Sequence, residues 1–283
     1  MPVLTGNTSR LQYEIYGSGP PLLLLAGLAF GPWCWFKQIP TFARHFQVIT
    51  IDSRDVQSSA NPAAYSVAGF AADAAALLER LGIERAHVLG TSFGGFVAQE
   101  LALGRPSLVD RLVLVCTSYG GRKSSTMSWQ TMAAMLGWGA DDRFDAARRG
   151  LEAATSPAYR EACGEEFAQL VRWRLSDSPS RTSYWAQMLA GARFDAHGRV
   201  RGITAPALIL HGSEDRVVPV SNAVALSREI PRARLRILDG AGHLVFIERA
   251  EEVNEEILRF LEGRPSRHRA EAPTKRRPWW RQW

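Results

Sequence analysis

Ser92 has the residue type and the local setting that a nucleophile in acyl transfer requires. It lies in the run GTSFGG at positions 90–95, which follows a short apolar stretch and precedes a helical pattern. A serine on a sharp turn between a strand and a helix presents its hydroxyl, and the flanking Gly90 and Gly94 let the adjoining chains approach closely. We therefore predict that Ser92 is a nucleophile and that Gly90 and Gly94 form its nucleophile elbow.

A serine hydroxyl needs a base that accepts its proton, and histidine titrates near neutral pH. Of the six histidines, His243 stands out because it ends the small-residue loop DGAGH directly after the last apolar strand pattern. A carboxylate must orient that imidazole and stabilise its charged form. Asp215 suits this role, since it follows the penultimate strand pattern, and Glu214 is its rival by adjacency. The sequence therefore predicts a catalytic triad of Ser92, Asp215 and His243.

Short apolar strands alternate with amphipathic helical patterns along most of the chain. This alternation is typical of an α/β protein whose mostly parallel central β-sheet is flanked by helices. The carboxyl ends of parallel strands meet at one edge of a sheet, so the three triad residues are expected to lie together there. The predicted strands are 22–25, 46–51, 86–90, 111–116, 207–211 and 235–238, preceded by an antiparallel edge hairpin that opens at 11–16 and turns at 17–21.

The alternation stops between positions 118 and 204, where aromatic residues fall within helical patterns and no strand is predicted. We interpret 118–204 as a helical cap inserted into an α/β core that comprises 1–117 and 205–263. An insertion at this point can lie over the edge of the sheet where open α/β folds bind ligands. Most of its aromatic side chains are expected to pack inside the cap.

The net charge of +6 comes from the C-terminal segment 264–283. This segment holds seven Arg and Lys residues and one Glu, whereas positions 1–263 carry 27 basic and 27 acidic residues. Its prolines and its lack of amphipathic periodicity favour a disordered, solvated extension. The alternative is contact with an anionic membrane surface, since three tryptophans lie among its arginines. Because the body is formally neutral, no nucleic-acid partner is expected.

Cysteine usage and the N-terminus favour a cytoplasmic location. Cys34, Cys116 and Cys163 are far apart and show neither a disulfide framework nor zinc-ligand spacing, so reduced thiols are expected. The first 16 residues do not have the pattern of a secretory signal. The longest apolar run, 20–30, is about half of the ~20 residues that a membrane-spanning helix needs. The predicted chemistry requires neither a metal nor an organic cofactor.

The triad residues and their surrounding motifs resemble the α/β-hydrolase superfamily over roughly residues 10–262. The segment GSEDRVVP at 212–219 is similar to its acid loop, and GAGH at 240–243 is similar to its histidine loop. The chain is identified as a member of the serine-nucleophile branch, because the haloalkane dehalogenase and epoxide hydrolase subgroups use aspartate at the elbow.

The resemblance also implies an oxyanion hole made of backbone N–H groups. Phe93 follows the nucleophile and supplies one N–H group. Ala26-Gly27-Leu28 resembles the family's His-Gly-x turn, which places Leu28 at the position of the second donor. Alanine replaces the usual histidine there. A further departure follows the second strand, where Asp55 and Gln57 stand at positions that are often glycine in the family.

Hydrolysis of a small carboxylic ester or lactone through an acyl-enzyme is the function that this resemblance implies. The GPWCWF run at 31–36 and the FDAHG run at 194–198 resemble enol-lactonases and related esterases. Cofactor-free haloperoxidases or perhydrolases and C–C bond hydrolases share the triad and remain alternatives. A ligand-binding receptor without catalytic activity is the alternative from another class.

Overall fold

Within the residues that the structure describes, the central sheet has eight strands. They are β1 (Val3–Thr5), β2 (Arg10–Tyr16), β3 (Pro21–Leu25), β4 (Gln47–Asp52), β5 (Ala86–Thr91), β6 (Val109–Val115), β7 (Ala207–Gly212) and β8 (Ala233–Leu238). This computed structural model describes residues 3–5, 10–52 and 65–266. The strand order is β1-β2-β4-β3-β5-β6-β7-β8. Strands β3 to β8 pair in parallel, which confirms the predicted mostly parallel sheet.

The antiparallel edge differs from the predicted hairpin. Strand β2 is antiparallel to β1 and to β4, and it does not pair with β3 across the turn at 17–21. The reason lies in the sheet itself, because β3 already has parallel partners on both sides. Strand β4 lies between β2 and β3 in the sheet, so the turn at 17–21 connects two strands that are not neighbours.

Eleven helices are described, and helices cover both faces of the sheet. They are α1 (Ile39–Phe42), α2 (Val67–Arg80), α3 (Phe93–Gly104), α4 (Trp129–Met135), α5 (Arg143–Ala154), α6 (Pro157–Ala162), α7 (Gly164–Ser176), α8 (Arg181–Arg193), α9 (Ser221–Glu229), α10 (Val245–Glu248) and α11 (Ala250–Leu261). Successive strand residues point to opposite faces. Leu23 accordingly belongs to the apolar core that α2, α3 and α9 share on one face, whereas Leu22 and Leu24 belong to the core that includes residues of α1 and α11 on the other.

Helices α4 to α8 form an insertion between β6 and β7. The ends of this insertion meet at an antiparallel bridge between Gly120 and Asp195. The backbone N–H of Gly121 donates to the carbonyl oxygen of Phe194 at 2.9 Å, and that of Ala196 donates to Tyr119 at 2.8 Å. The insertion thus leaves and rejoins the sheet through adjacent chains. Its description as a separate cap domain, with boundaries at 118 and 204, stays a prediction.

Some sequence-based predictions concern residues outside the described ranges. Asp55 and Gln57 are among these residues, as is the greater part of the basic C-terminal segment, 267–283. Within the described ranges, no helix has both the length and the apolar character that crossing a membrane requires.

Glycines allow β3, β5 and α3 to meet at the carboxyl edge of the sheet. A Cβ atom on Gly94 would lie 2.1 Å from the carbonyl oxygen of Leu25 and 2.5 Å from that of Ala26. A Cβ atom on Gly90 would lie 2.3 Å from the carbonyl oxygen of Gly94. Both clashes are with backbone atoms, which cannot turn aside as a flexible side chain can. Only glycine permits this approach.

The substitution Gly94→Ala should therefore destabilise the fold by about 3 kcal/mol, because α3 must move away from β3. Urea unfolding measures this loss as a lower midpoint. Gly104→Ala is the matched control, since it lies at the end of the same helix with open space around its Cβ position. It should be neutral or stabilise the fold by up to ~1 kcal/mol. Equal midpoints for the two variants would contradict the packing argument.

Candidate active site

Ser92 lies on the turn between β5 and α3 in an unusual backbone conformation. Its φ is 51° and its ψ is −116°, a region that costs a non-glycine residue about 1–3 kcal/mol. Two contacts from β6 and the residues after it hold the turn. The backbone N–H of Ser92 donates to the carbonyl oxygen of Val115 at 2.9 Å, and the Thr117 hydroxyl donates to the carbonyl oxygen of Ser92 at 2.8 Å. The serine is thus positioned by its neighbours at the N-terminus of a twelve-residue helix.

Asp215 and His243 are in direct contact at the same edge of the sheet. His243 Nδ1 lies 2.8 Å from Asp215 Oδ2, and both residues are buried. The other carboxylate oxygen accepts the backbone N–H groups of Val217 at 2.9 Å and Val218 at 2.8 Å. Because an ionised carboxylate only accepts, we assign the proton to His243 Nδ1. The Nε2 atom then keeps the lone pair that a general base uses.

Glu214, the rival carboxylate, points away from this pair. It is exposed to solvent, whereas Asp215 is buried. Neighbouring side chains in the loop after β7 therefore face opposite directions. Of the two carboxylates, the structure brings Asp215 to His243.

A second imidazole, that of His211, also contacts Asp215. His211 Nε2 lies 3.1 Å from Asp215 Oδ2 and 2.7 Å from the carbonyl oxygen of Val218. Both partners are acceptors, so Nε2 carries the proton. The sequence pattern did not indicate this contact. The only available signal was the spacing of His211, four residues before Asp215 in HGSED.

The surroundings of Asp215 favour its ionised form. Burial by itself opposes ionisation, but the charge of His243 and the hydrogen bonds from His211 and His243 outweigh burial. As a result, the pKa of Asp215 lies well below the usual range of a carboxyl group. An ionised Asp215 can stabilise an imidazolium at His243, as a serine hydrolase requires.

Glu248 of α10 accepts a hydrogen bond from the histidine loop, residues 240–243. Its carboxylate oxygens each lie 3.2 Å from the backbone N–H of Gly242, the residue before His243. The same carboxylate accepts the backbone N–H of Ser156, in the insertion, at 3.2 Å. Burial raises the pKa of Glu248, although these hydrogen bonds oppose the rise. The contact was not apparent from sequence.

The segments that carry the predicted oxyanion donors lie against Ser92. Phe93 is the first residue of α3, and a Cβ atom on Gly27 would lie 3.4 Å from Ser92 Cβ. The backbone N–H groups of Leu28 and Phe93 form no hydrogen bond with another residue of the described ranges. Both donors are therefore available to a ligand oxygen.

Cys116, His211 and Asp215 form a buried group whose potential ligand atoms lie within 4.8 Å of one another. These are atom types that bind metals, but His211 and Asp215 are already engaged in hydrogen bonds. Burial raises the pKa of the Cys116 thiol well above its usual value. Asp215 Oδ2 already accepts from two imidazoles. We therefore treat the three residues as part of the hydrogen-bond network.

Comparisons with known proteins place the chain in a family. The model of the alpha/beta hydrolase fold matches residues 20–250. A putative non-heme bromoperoxidase of Mycobacterium tuberculosis is 30% identical over 258 residues, which cover 89% of this chain and 97% of that protein. The chain belongs to the alpha/beta hydrolase fold family, and the family assignment made from its motifs is confirmed.

Two solved structures illustrate the similarity. The enol-lactonase from Burkholderia xenovorans LB400 matches with a TM-score of 0.79 and 24% identity, over 92% of this chain and all of that one. Est816, an N-acyl homoserine lactone degrading enzyme, matches with a TM-score of 0.78 and 28% identity, over 93% of this chain and 99% of that one. The predicted resemblance to enol-lactonases thus holds at the level of the fold.

The pKa of Asp215 leads to a prediction about stability. A carboxyl group whose pKa is lowered by folding stabilises the folded state above its unfolded pKa of about 4, and this contribution disappears as the pH falls below that value. We expect Asp215→Asn to lower the free energy of unfolding by about 2 kcal/mol at neutral pH, and by less in acid. Urea unfolding at neutral pH and at pH values below about 4 measures the difference in free energy of unfolding between the variant and the wild-type protein. Asp239→Asn, an exposed carboxylate on the next loop, is the control. A deficit that did not shrink in acid would contradict the electrostatic explanation.

Proposed function

We propose that this protein is a serine hydrolase that cleaves a small carboxylic ester or lactone through an acyl-enzyme intermediate. The observation that carries the proposal is the Asp215–His243 hydrogen bond at the sheet edge where Ser92 occupies a strained turn. A buried carboxylate held by four hydrogen-bond donors is costly to assemble without a function. Orienting a histidine beside a nucleophile accounts for that arrangement.

In the proposed mechanism His243 Nε2 takes the proton of the Ser92 hydroxyl as the serine oxygen attacks the carbonyl carbon. The backbone N–H groups of Leu28 and Phe93 stabilise the oxygen anion of the tetrahedral intermediate. His243 then gives its proton to the leaving alkoxide, and the acyl group remains on Ser92. Water, deprotonated by His243, releases the acid and restores the serine. No step of this mechanism calls for a metal or an organic cofactor.

The substrate is proposed to be largely apolar. Phe70 and Phe93 meet edge to face with ring centroids 5.4 Å apart, and Phe96 stacks on Phe194 of the insertion at 4.6 Å. These rings pack together in the core around the predicted oxyanion donor Phe93, so the surroundings of that donor are apolar. A lactone is favoured by the similarity to Est816, which degrades N-acyl homoserine lactones. We also propose a cytoplasmic location, since Cys34, Cys116 and Cys163, all within the described ranges, form no disulfide with one another.

Perhydrolysis is the second candidate function. It is supported by the 30% identical relative that is described as a putative non-heme bromoperoxidase. In such a reaction hydrogen peroxide, rather than water, would take the acyl group from Ser92, so both functions use the same acyl-enzyme. Adding peroxide to an acylated enzyme and measuring the peracid and the free acid therefore distinguishes the two.

Loss of the serine hydroxyl should abolish acyl transfer. We expect wild-type protein to release nitrophenol from short-chain p-nitrophenyl esters, with a burst if deacylation is slow, and Ser92→Ala to lose about 10⁴-fold or more in kcat. The matched control is Ser227→Ala, whose hydroxyl is bonded to its own helix α9. It should retain wild-type activity.

The same comparison of wild-type protein with Ser92→Ala is then made on a panel of lactones and of substrates that are cleaved at a carbon–carbon bond. Lactone hydrolysis that depends on Ser92 would favour the lactonase assignment over a simple esterase. If wild-type protein turned over none of these substrates, the hydrolase proposal would be wrong and a receptor function would take precedence.

A further inference from the structure

One face of helix α8 contacts both segments that carry the predicted oxyanion donors. Gln187 and Gly191 are four residues apart and therefore share that face. The side-chain oxygen of Gln187 accepts the backbone N–H of Ala29 at 3.0 Å, and Gln187 is only 1% exposed. A Cβ atom on Gly191 would lie 3.3 Å from the ring of Phe93. A helix of the insertion thus spans from the residue after Leu28 to the residue after Ser92.

The backbone at Ala29 needs outside support. Its φ of 59° lies in the left-handed region, which disfavours residues with a Cβ atom. A chain released at this point would relax towards an ordinary conformation and would turn the preceding peptide groups with it. Those groups include the N–H of Leu28.

A local hydrogen bond shows how the direction of that N–H is set. The backbone N–H of Phe30 donates to the carbonyl oxygen of Gly27 at 3.1 Å. The peptide bond between Gly27 and Leu28 is planar and trans, so its C=O and N–H point in opposite directions. The turn that closes on the Gly27 carbonyl therefore aims the Leu28 N–H. Leu28 and Ala29 are the two residues between the ends of that turn.

The insertion binds the second polar group of Ala29 as well. The guanidinium of Arg174, on α7, donates to the Ala29 carbonyl oxygen. The same guanidinium lies 5.3 Å from the centre of the Phe30 ring, which adds a cation–π contact. The N–H and the C=O of the one strained residue in this loop are thus both held by side chains of the insertion.

We propose that Gln187 is a positioning residue that holds the oxyanion hole in its active geometry, with Arg174 as its auxiliary. This inference rests on the proposed function. Helix α8 fixes the loop of Leu28 through Gln187 and abuts Phe93 through Gly191. The oxyanion hole is then complete only while the insertion is docked on the core. Neither side chain need touch the reacting atoms.

The kinetic test replaces Gln187 by methionine, which has nearly the same shape and cannot accept the Ala29 N–H. Loosening one donor should lower kcat for p-nitrophenyl esters about tenfold and leave KM within about twofold, because the lost interaction strengthens only in the transition state. Phosphonylation of Ser92 by a fluorophosphonate probe should slow to a similar extent. The control is Leu189→Ala, a residue of the same helix that is itself 48% exposed, which should leave both rates unchanged.

A second measurement does not depend on activity. Hydrogen–deuterium exchange of the peptide that covers residues 26–31 should accelerate in Gln187→Met, since the Ala29 N–H loses its acceptor, and should stay at the wild-type rate in Leu189→Ala. Arg174→Met, a partly exposed site, is the second variant if the methionine variant folds poorly. It should show the same pattern with a smaller loss of kcat.

The outcomes separate the two proposals. If wild-type protein neither hydrolyses esters nor reacts with the probe, the proposed function is wrong, and unchanged exchange in Gln187→Met would overturn the positioning role as well. If the protein is active and Gln187→Met matches Leu189→Ala in kcat, the positioning role is overturned. A rise in KM at constant kcat would also overturn it, because Gln187 would then bind the substrate itself.

Discussion

The approach of α3 to the end of β3 is the constraint on which the rest of this site depends. At Gly94 the first turn of the helix touches the carbonyl groups of Leu25 and Ala26, where a side chain would not fit. This contact forces the short connection from β5 to α3 through the strained conformation of Ser92. It also brings the loop that begins at Gly27 against Ser92. One backbone contact therefore places both the proposed nucleophile and the loop of a proposed oxyanion donor.

The insertion is attached to the site at two loops. Helices α7 and α8 hold the loop after β3 through Arg174 and Gln187. The junction of α5 and α6 holds the histidine loop, where the backbone N–H of Leu244 donates to Ala154 at 3.0 Å and Glu248 joins Gly242 to Ser156. Movement of the insertion would thus disturb the proposed base and the proposed oxyanion donors together. The helical segment therefore contacts both loops that carry proposed catalytic groups.

The parts of the fold and site that sequence predicted are those encoded by local patterns. Ser92 is marked by glycines within two residues, and His243 by the small-residue loop before it. Strand and helix periodicity is equally local, so the parallel sheet was predictable. The pairing of β2 was not, because it depends on the competition among β2, β4 and β5 for the edges of β3. The Gln187–Ala29 contact joins residues 158 positions apart, and no periodicity encodes it.

The close fit of α8 against Phe93 depends on a residue, Gly191, that a single mutation can change. Any glycine codon becomes an alanine codon by a single base change, and the added methyl group would crowd the Phe93 ring. The helix would shift by a fraction of an ångström while every proposed catalytic group kept its identity. One mutational step would thus alter how the insertion fits against the residue after the proposed nucleophile. The fit of the insertion to the site is therefore sensitive to a residue that performs no chemistry.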